Sequence, residues 1–126
     1  MDDPGFLVVG GIGASAALVA RVRSRRGTAR SRTRIEPAEV GLREFPELGA
    51  FVQYSAPASA ACRVSLNRLA AAVAPHHRSA IVIELQGHGP GARSLPTVLY
   101  VDHSGAIVQR WARPPERAEL AQLLPA

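Results

Sequence analysis

A serine and a cysteine stand at a spacing suited to thiol chemistry, Ser59-Ala60-Ala61-Cys62. A cysteine thiolate is a strong nucleophile, and a helix N-terminus or a nearby cation increases the fraction of thiol that is ionised. Cys62 is the one cysteine in 126 residues, so the chain forms neither an internal disulfide nor a cysteine-rich metal site. Ser59 directly precedes a helical pattern, where serine is favoured as an N-cap, and this position explains the serine without a catalytic role.

Histidines are the other side chains whose atoms could serve a site. His76, His77 and His88 could bind a metal, alone or with Cys62, but they lack the spacing of known ligand sets. Adjacent histidines in a loop are usually solvated, so we predict no metal site. No Ser-His-Asp arrangement can be argued, because the N-cap role accounts for the serine.

A strand, a loop and a helix must position Cys62. Residues 49–54 read as an apolar strand, and the loop at residues 55–58 contains a proline that interrupts strand pairing. The helix that follows carries apolar side chains at spacings of four, three and four, which share one face: Cys62, Leu66, Leu69 and Val73. Because a sheet must cover that face, we predict that Cys62 points inward.

The rest of the chain completes a sheet. Residues 80–85 and 97–102 have the continuous apolar pattern of central strands. A turn at residues 103–105 leads into a fourth strand at residues 106–112, and a last helix follows Pro114 and Pro115, with three leucines on its buried side. The predicted order is β-α-β-β-β-α, an α/β fold.

The N-terminal residues predict a membrane anchor. Residues 6–20 carry no charge, and residues 4–22 are just long enough for a transmembrane helix, although a buried helix of a soluble protein has the same pattern. The match of residues 11–16 to a glycine-rich dinucleotide motif lacks the following strand, so no cofactor is predicted. We predict a transmembrane helix at residues 1–22, a basic juxtamembrane linker at 23–40 and a folded domain at 41–126.

Arginine is concentrated in the predicted linker. Seven arginines lie between residues 21 and 34, whereas from residue 35 onward eight arginines balance eight acids. The positive-inside rule then predicts a single-pass protein of the cell membrane with its N-terminus outside and its domain in the cytoplasm. Because the arginine run contains no aromatic residue and the domain is neutral, we predict no nucleic-acid partner.

This element order resembles the thioredoxin family, most of all the small membrane-anchored thioredoxin-like proteins of actinobacteria. The resemblance covers roughly residues 41–124 and is carried by FVQYS before the loop, Cys62-Arg63 at the helix start, Leu95-Pro96-Thr97-Val98, and Asp102 with Gly105 in the hairpin turn. It implies a shortened thioredoxin-like fold with a four-stranded mixed sheet. It also implies a cis Leu95–Pro96 bond, with Pro96 facing a site that contains Cys62.

Two departures from that family bear on function. Its redox motif is Cys-x-x-Cys, but Ser59 occupies the position of the attacking cysteine and Cys62 that of the resolving one. Gln53 stands where many members have a buried proton-accepting acid. A membrane-tethered binding or scaffold module without dithiol exchange is therefore expected, with a protein partner at the site near Cys62 and Pro96.

An enzyme with one reactive thiol is the alternative. Peroxiredoxins, structural relatives of thioredoxins, use Thr/Ser-x-x-Cys, and Ser59-x-x-Cys62 has that spacing. The helix N-terminus and Arg63 would stabilise a thiolate if Cys62 were accessible. However, peroxiredoxins have a proline four residues before the Thr/Ser, where this chain has Ser55. Disulfide exchange assisted by a partner's cysteine is a third reading.

The second departure is a short connection. Only eleven residues, 85–95, lie between Glu84 in the second predicted strand and Pro96 before the third, where the family usually inserts a helix. If the strand order is second-first-third-fourth, those residues are long enough to cross one strand. The sheet face that the helix would cover must instead be covered by residues 35–48, by a partner or by the membrane surface.

Overall fold

A six-stranded mixed sheet runs through the computed structural model of the chain, which describes residues 6–9, 19–23, 32–87 and 95–125. Its spatial order is β1-β2-β4-β3-β5-β6. The strands are β1 (Phe6–Val9), β2 (Val19–Arg23), β3 (Ala50–Ser55), β4 (Ile81–Gln86), β5 (Thr97–Val101) and β6 (Ile107–Trp111). The helices are α1 (Ala60–Val73) and α2 (Arg117–Leu123), with 3-10 turns at Pro37–Val40 and Ala74–His76.

The four predicted strands have the predicted order. β3 pairs in parallel with β4 and antiparallel with β5, and β6 pairs antiparallel with β5. β3 and β4 are buried on both faces, as expected of central strands that pair with a neighbour on each side. Strands β3 to β6 form the predicted four-stranded mixed sheet of a shortened thioredoxin-like fold, which is confirmed, and β1 and β2 extend that sheet to six strands.

Two strands lie where the sequence predicted one helix. β1 pairs antiparallel with β2, and β2 pairs in parallel with β4. At residues 6–9 and 19–23 these strands replace the helix predicted for residues 4–22, since an apolar run interrupted by glycines suits either element. Residues 10–18 lie outside the described residues. Among the described helices, none has both the length and the hydropathy to cross a bilayer.

α1 and α2 pack on one face of the sheet. This face contains Phe51, whose ring centroid lies 4.9 Å from that of Tyr100, together with Leu69 of α1 and Leu120 of α2. The buried face of α1 differs by one residue from the prediction, since Ser65 is buried and Leu66 is half-buried. The core under α1 is therefore less apolar near Cys62 than the spacing of its apolar residues predicted.

The opposite face of the sheet is covered by residues 32–48. Ile35, Val40 and Phe45 are buried against it, and the Ile35 amide donates to the Gly105 carbonyl at 2.9 Å. Residues 32–40, predicted as part of a linker, thus belong to the folded domain. The segment takes the place of the missing helix. Of the three covers considered for this face, it is the one formed by the chain itself. Residues 35–48 were among the expected covers, but the predicted domain boundary at residue 41 lies too far along the chain, because residues 32–40 are mostly polar.

Ionisation of Tyr54 makes the stability of the domain depend on pH in the alkaline range. Burial raises the pKa of Tyr54 to about 12, with smaller opposing effects from Arg32 and Arg110. The unfolded chain ionises near pH 10, so this contribution to stability is complete below that pH and declines as pH rises toward 12. Between pH 9 and 11.5, we expect the free energy of unfolding to fall by about 1–2 kcal/mol less in Tyr54→Phe than in the unchanged protein. Urea denaturation at each pH measures this difference. Equally steep declines in both proteins would contradict this.

Candidate functional site

Ser59 caps the N-terminus of α1. Its backbone is extended, and its Oγ accepts a hydrogen bond from the Cys62 amide at 3.1 Å. This bond satisfies one of the amides that a helix leaves unpaired in its first turn. The predicted N-cap role is confirmed, and the hydroxyl is engaged in it.

Cys62 points into the protein from the first turn of α1. Its side chain is 3% exposed, and its Sγ accepts a weak hydrogen bond from the Ala56 amide at 3.5 Å. The inward orientation predicted from the helical spacing is confirmed. The sulfur therefore lies between α1 and the loop that follows β3, with little of its surface open to solvent.

A row of polar side chains lies beneath this end of α1. In β3 and β4, alternate residues face α1, and the last two such positions of each strand are Gln53 and Ser55, and Glu84 and Gln86. Gln53 Nε2 donates to the Cys62 carbonyl at 2.8 Å and to Ser55 Oγ at 3.0 Å. The apolar core thus ends in a polar layer at the carboxyl ends of the parallel strands, the usual location of ligand sites in such sheets.

A cavity of about 430 Å³ opens beside Cys62. It is bounded by the loop at residues 56–59, by Arg63 of α1, and by Glu84 and Gln86 of β4. Glu84 is buried, so a carboxyl group lies under α1 beside the amide of Gln53, with which it is paired across β3 and β4. The sequence analysis missed Glu84 as a site residue. Its signal was an acidic residue inside the apolar strand AIVIEL, because such strands seldom bury a charge.

Pro96 lies at the same end of the sheet. The Leu95–Pro96 bond is cis, as predicted, and Pro96 is buried directly before β5. Thr97 pairs with Tyr54, so Pro96 lies one position further along, level with the end of β3. It is not among the described residues that line the cavity beside Cys62. The fold therefore brings the two predicted site residues to one edge without placing both in one pocket.

Exposed apolar residues follow one another from the loop that lines this cavity into the first turns of α1. Pro57, Ala58, Ala60 and Ala61 are exposed, and Val64 is one of the few large apolar side chains with more than a third of its surface in solvent, 44%. Ala58 has a φ of 58°, a conformation that L-residues other than Asn and Asp seldom adopt. Strained backbone of this kind concentrates at functional sites.

The histidines do not approach the cysteine. His76 and His77 follow the C-terminal end of α1, whereas Cys62 is in its first turn. His88 lies outside the described residues. In residues 32–87 and 95–125, no three metal-binding side chains gather into one cluster.

Comparison with known proteins indicates the fold alone. No protein-family model and no curated protein matches the chain. A solved structure of thioredoxin-2, a component of the malaria parasite's protein secretion machinery, is similar with a TM-score of 0.56 and 12% sequence identity. The match covers 80% of this chain and 96% of the other. The chain therefore has a thioredoxin-like fold.

Proposed function

We propose that the chain is a thioredoxin-like binding module that has lost dithiol exchange. It binds a protein partner through the surface formed by Pro57, Ala58, Ala60, Ala61 and Val64, hereafter the loop-helix surface.

The engagement of both candidate atoms carries this proposal. Dithiol exchange needs an accessible thiolate that attacks and a second thiol that resolves the mixed disulfide. Here the position of the attacking cysteine holds the Ser59 hydroxyl, which accepts a hydrogen bond from the Cys62 amide. The position of the resolving cysteine holds Cys62, a residue with 3% of its surface exposed. Neither atom is presented to a substrate disulfide.

The loop-helix surface supports the binding half of the proposal. Apolar side chains clustered on one exposed surface mark protein contacts more often than single scattered ones do. Two of its members, Pro57 and Ala58, line the cavity that Arg63 and Glu84 also line. A partner could therefore place an apolar side chain on the rim and a polar group within the opening.

Thiol labelling tests the loss of exchange. We expect Cys62 in the folded protein to react with a small thiol reagent about a hundredfold or more slowly than in urea, because labelling requires local opening that costs ~3 kcal/mol. A matched control is Ala61→Cys combined with Cys62→Ser, which moves the thiol to an exposed position in the same helical turn and should react rapidly. Fast native labelling of Cys62, with an apparent pKa well below ~8.5, would contradict the proposal.

Site-specific crosslinking tests the binding surface. A photoreactive residue at Val64 is expected to give one dominant covalent product in the native host, whereas the same residue at Val108 should not. Val108 is the matched control because it is also an exposed valine, 51% open to solvent, but lies on β6. Equal product patterns at both positions would contradict a partner specific to the loop-helix surface.

A single-thiol enzyme is the second candidate, favoured by the cavity beside Cys62. Arg63 would stabilise a thiolate there, and a hydroperoxide that entered would be reduced to an alcohol while the thiol became a sulfenic acid. Mass spectrometry of peroxide-treated protein tests this reading. Stoichiometric oxidation of Cys62 at low peroxide would favour the enzyme over the binding module.

A further inference from the structure

A groove of about 470 Å³ lies between α2 and the second half of α1. Leu120 and Leu124, which are buried, form part of its floor, and Ala72 and Ala121 line it from the two helices. Alanines fill little of the space between these helices, so an opening remains. Its volume lies in the range of small-molecule sites, which are mainly apolar with a few polar groups that orient the ligand.

The groove is separate from the site at Cys62. Its α1 residues begin at Arg68, whereas Cys62 is in the first turn of this 14-residue helix. A helix of that length extends about 21 Å, so the two openings lie toward opposite ends of it. Binding in the groove therefore does not depend on the proposed function of the other site.

The polar side chains of the groove are basic. Arg68, His76 and Arg117 line it, and no acidic residue does so among the described ones. Arg68 is held in place, because its Nη1 donates to the Pro115 carbonyl at 3.0 Å and lies 3.9 Å from Glu116. Two nitrogens of Arg68, Nη2 and Nε, have no hydrogen-bond acceptor within residues 32–87 and 95–125, since only its Nη1 donates a hydrogen bond there. The guanidinium of Arg117 likewise has no hydrogen-bond acceptor in that part of the chain.

We infer that this groove binds a small anionic amphiphile, a carboxylate with an aliphatic tail. The guanidinium groups of Arg68 and Arg117 hold the carboxylate, for which their planar donors are well matched. The tail lies on Ala72, Pro75 and Ala121 above the buried Leu120, which removes apolar surface of both ligand and protein from water. An uncharged or cationic amphiphile gains the burial of its tail but not the contact between a carboxylate and the two guanidinium groups.

Titration of the full chain with octanoate, followed by amide NMR shifts, tests the inference. Saturable shifts are expected in residues 68–76 and 117–125, with octanol and octyltrimethylammonium binding at least tenfold more weakly. Arg117→Glu is expected to weaken octanoate binding about tenfold or more, the effect of losing one charge-assisted hydrogen bond. Arg43→Glu is the matched control, since it makes the same charge change at an exposed position in the segment over the opposite sheet face.

A second variant separates binding from folding. Ala121→Leu fills the groove from an exposed position on α2, and it should abolish binding while far-UV circular dichroism stays unchanged. The inference is overturned if octanoate gives no saturable shifts, if octanol binds as tightly, or if the shifts lie elsewhere. Binding to anionic phospholipid vesicles without binding to octanoate would also overturn it, because the ligand would then be a membrane surface.

Discussion

Ser59→Cys is expected to give the chain disulfide reductase activity. The change places a thiol at the N-cap of α1, three residues before Cys62, in the Cys-x-x-Cys arrangement. There the helix N-terminus stabilises its thiolate, while Cys62 lies behind it to resolve the mixed disulfide. The measurement is insulin reduction with dithiothreitol, together with the redox potential of the new pair, expected between about −270 and −120 mV.

Two further variants separate this gain from general effects of the substitution. Ser59→Ala removes the bond to the Cys62 amide without adding a thiol, so it should cost ~1 kcal/mol of stability and give no activity. Ser59→Cys combined with Cys62→Ser should attack but not resolve, and should therefore accumulate a mixed disulfide. If the oxidised Ser59→Cys protein contains no bond between positions 59 and 62, the assignment of these two positions is wrong.

Gly49→Ala is expected to be among the most destabilising single changes in the domain. Gly49 precedes β3 with a φ of +88°, and a Cβ there would lie 2.1 Å from the backbone oxygen of Val101. Neither backbone can move without disturbing the pairing of β3 with β5. We expect a loss of about 3–5 kcal/mol or complete unfolding, because a small domain has only ~5–15 kcal/mol in total. Urea denaturation followed by far-UV circular dichroism measures it.

Gly41→Ala is the matched control for that loss. Gly41 has nearly the same backbone conformation, with a φ of +81°, but it is exposed at the end of the first 3-10 turn. Alanine there should cost only the ~1–2 kcal/mol of the left-handed conformation. If the two variants lose the same stability, the contact with Val101 contributes nothing.

The sequence predicted the elements whose patterns are strongly periodic or continuously apolar. β3 to β6, the cap at Ser59 and the inward orientation of Cys62 followed from local rules that the tertiary structure reinforces. Cis Leu95–Pro96 followed from the family resemblance and not from any local pattern. These features share one property, which is that neighbouring residues or a known motif determine them.

The features that the sequence hid depend on distant partners. Residues 32–40 read as a linker because only Ile35 and Val40 are apolar there, and their burial depends on a sheet formed much later in the chain. Residues 6–9 and 19–23 read as one helix because hydropathy does not distinguish two strands from a helix. Glu84 became a candidate only when the register of β3 and β4 placed it under α1.

The segment of residues 32–48, which covers the sheet face opposite α1 and α2, affects the order in which the domain folds. Arg34 donates to the carbonyl of Ser104, a residue 70 positions further along the chain. During synthesis, this segment leaves the ribosome long before the hairpin that fastens it. Closure must therefore wait for most of the polypeptide, and contacts so distant in sequence generally make folding slow. Until that moment, half of the apolar interior is available to chaperones and to other unfinished chains.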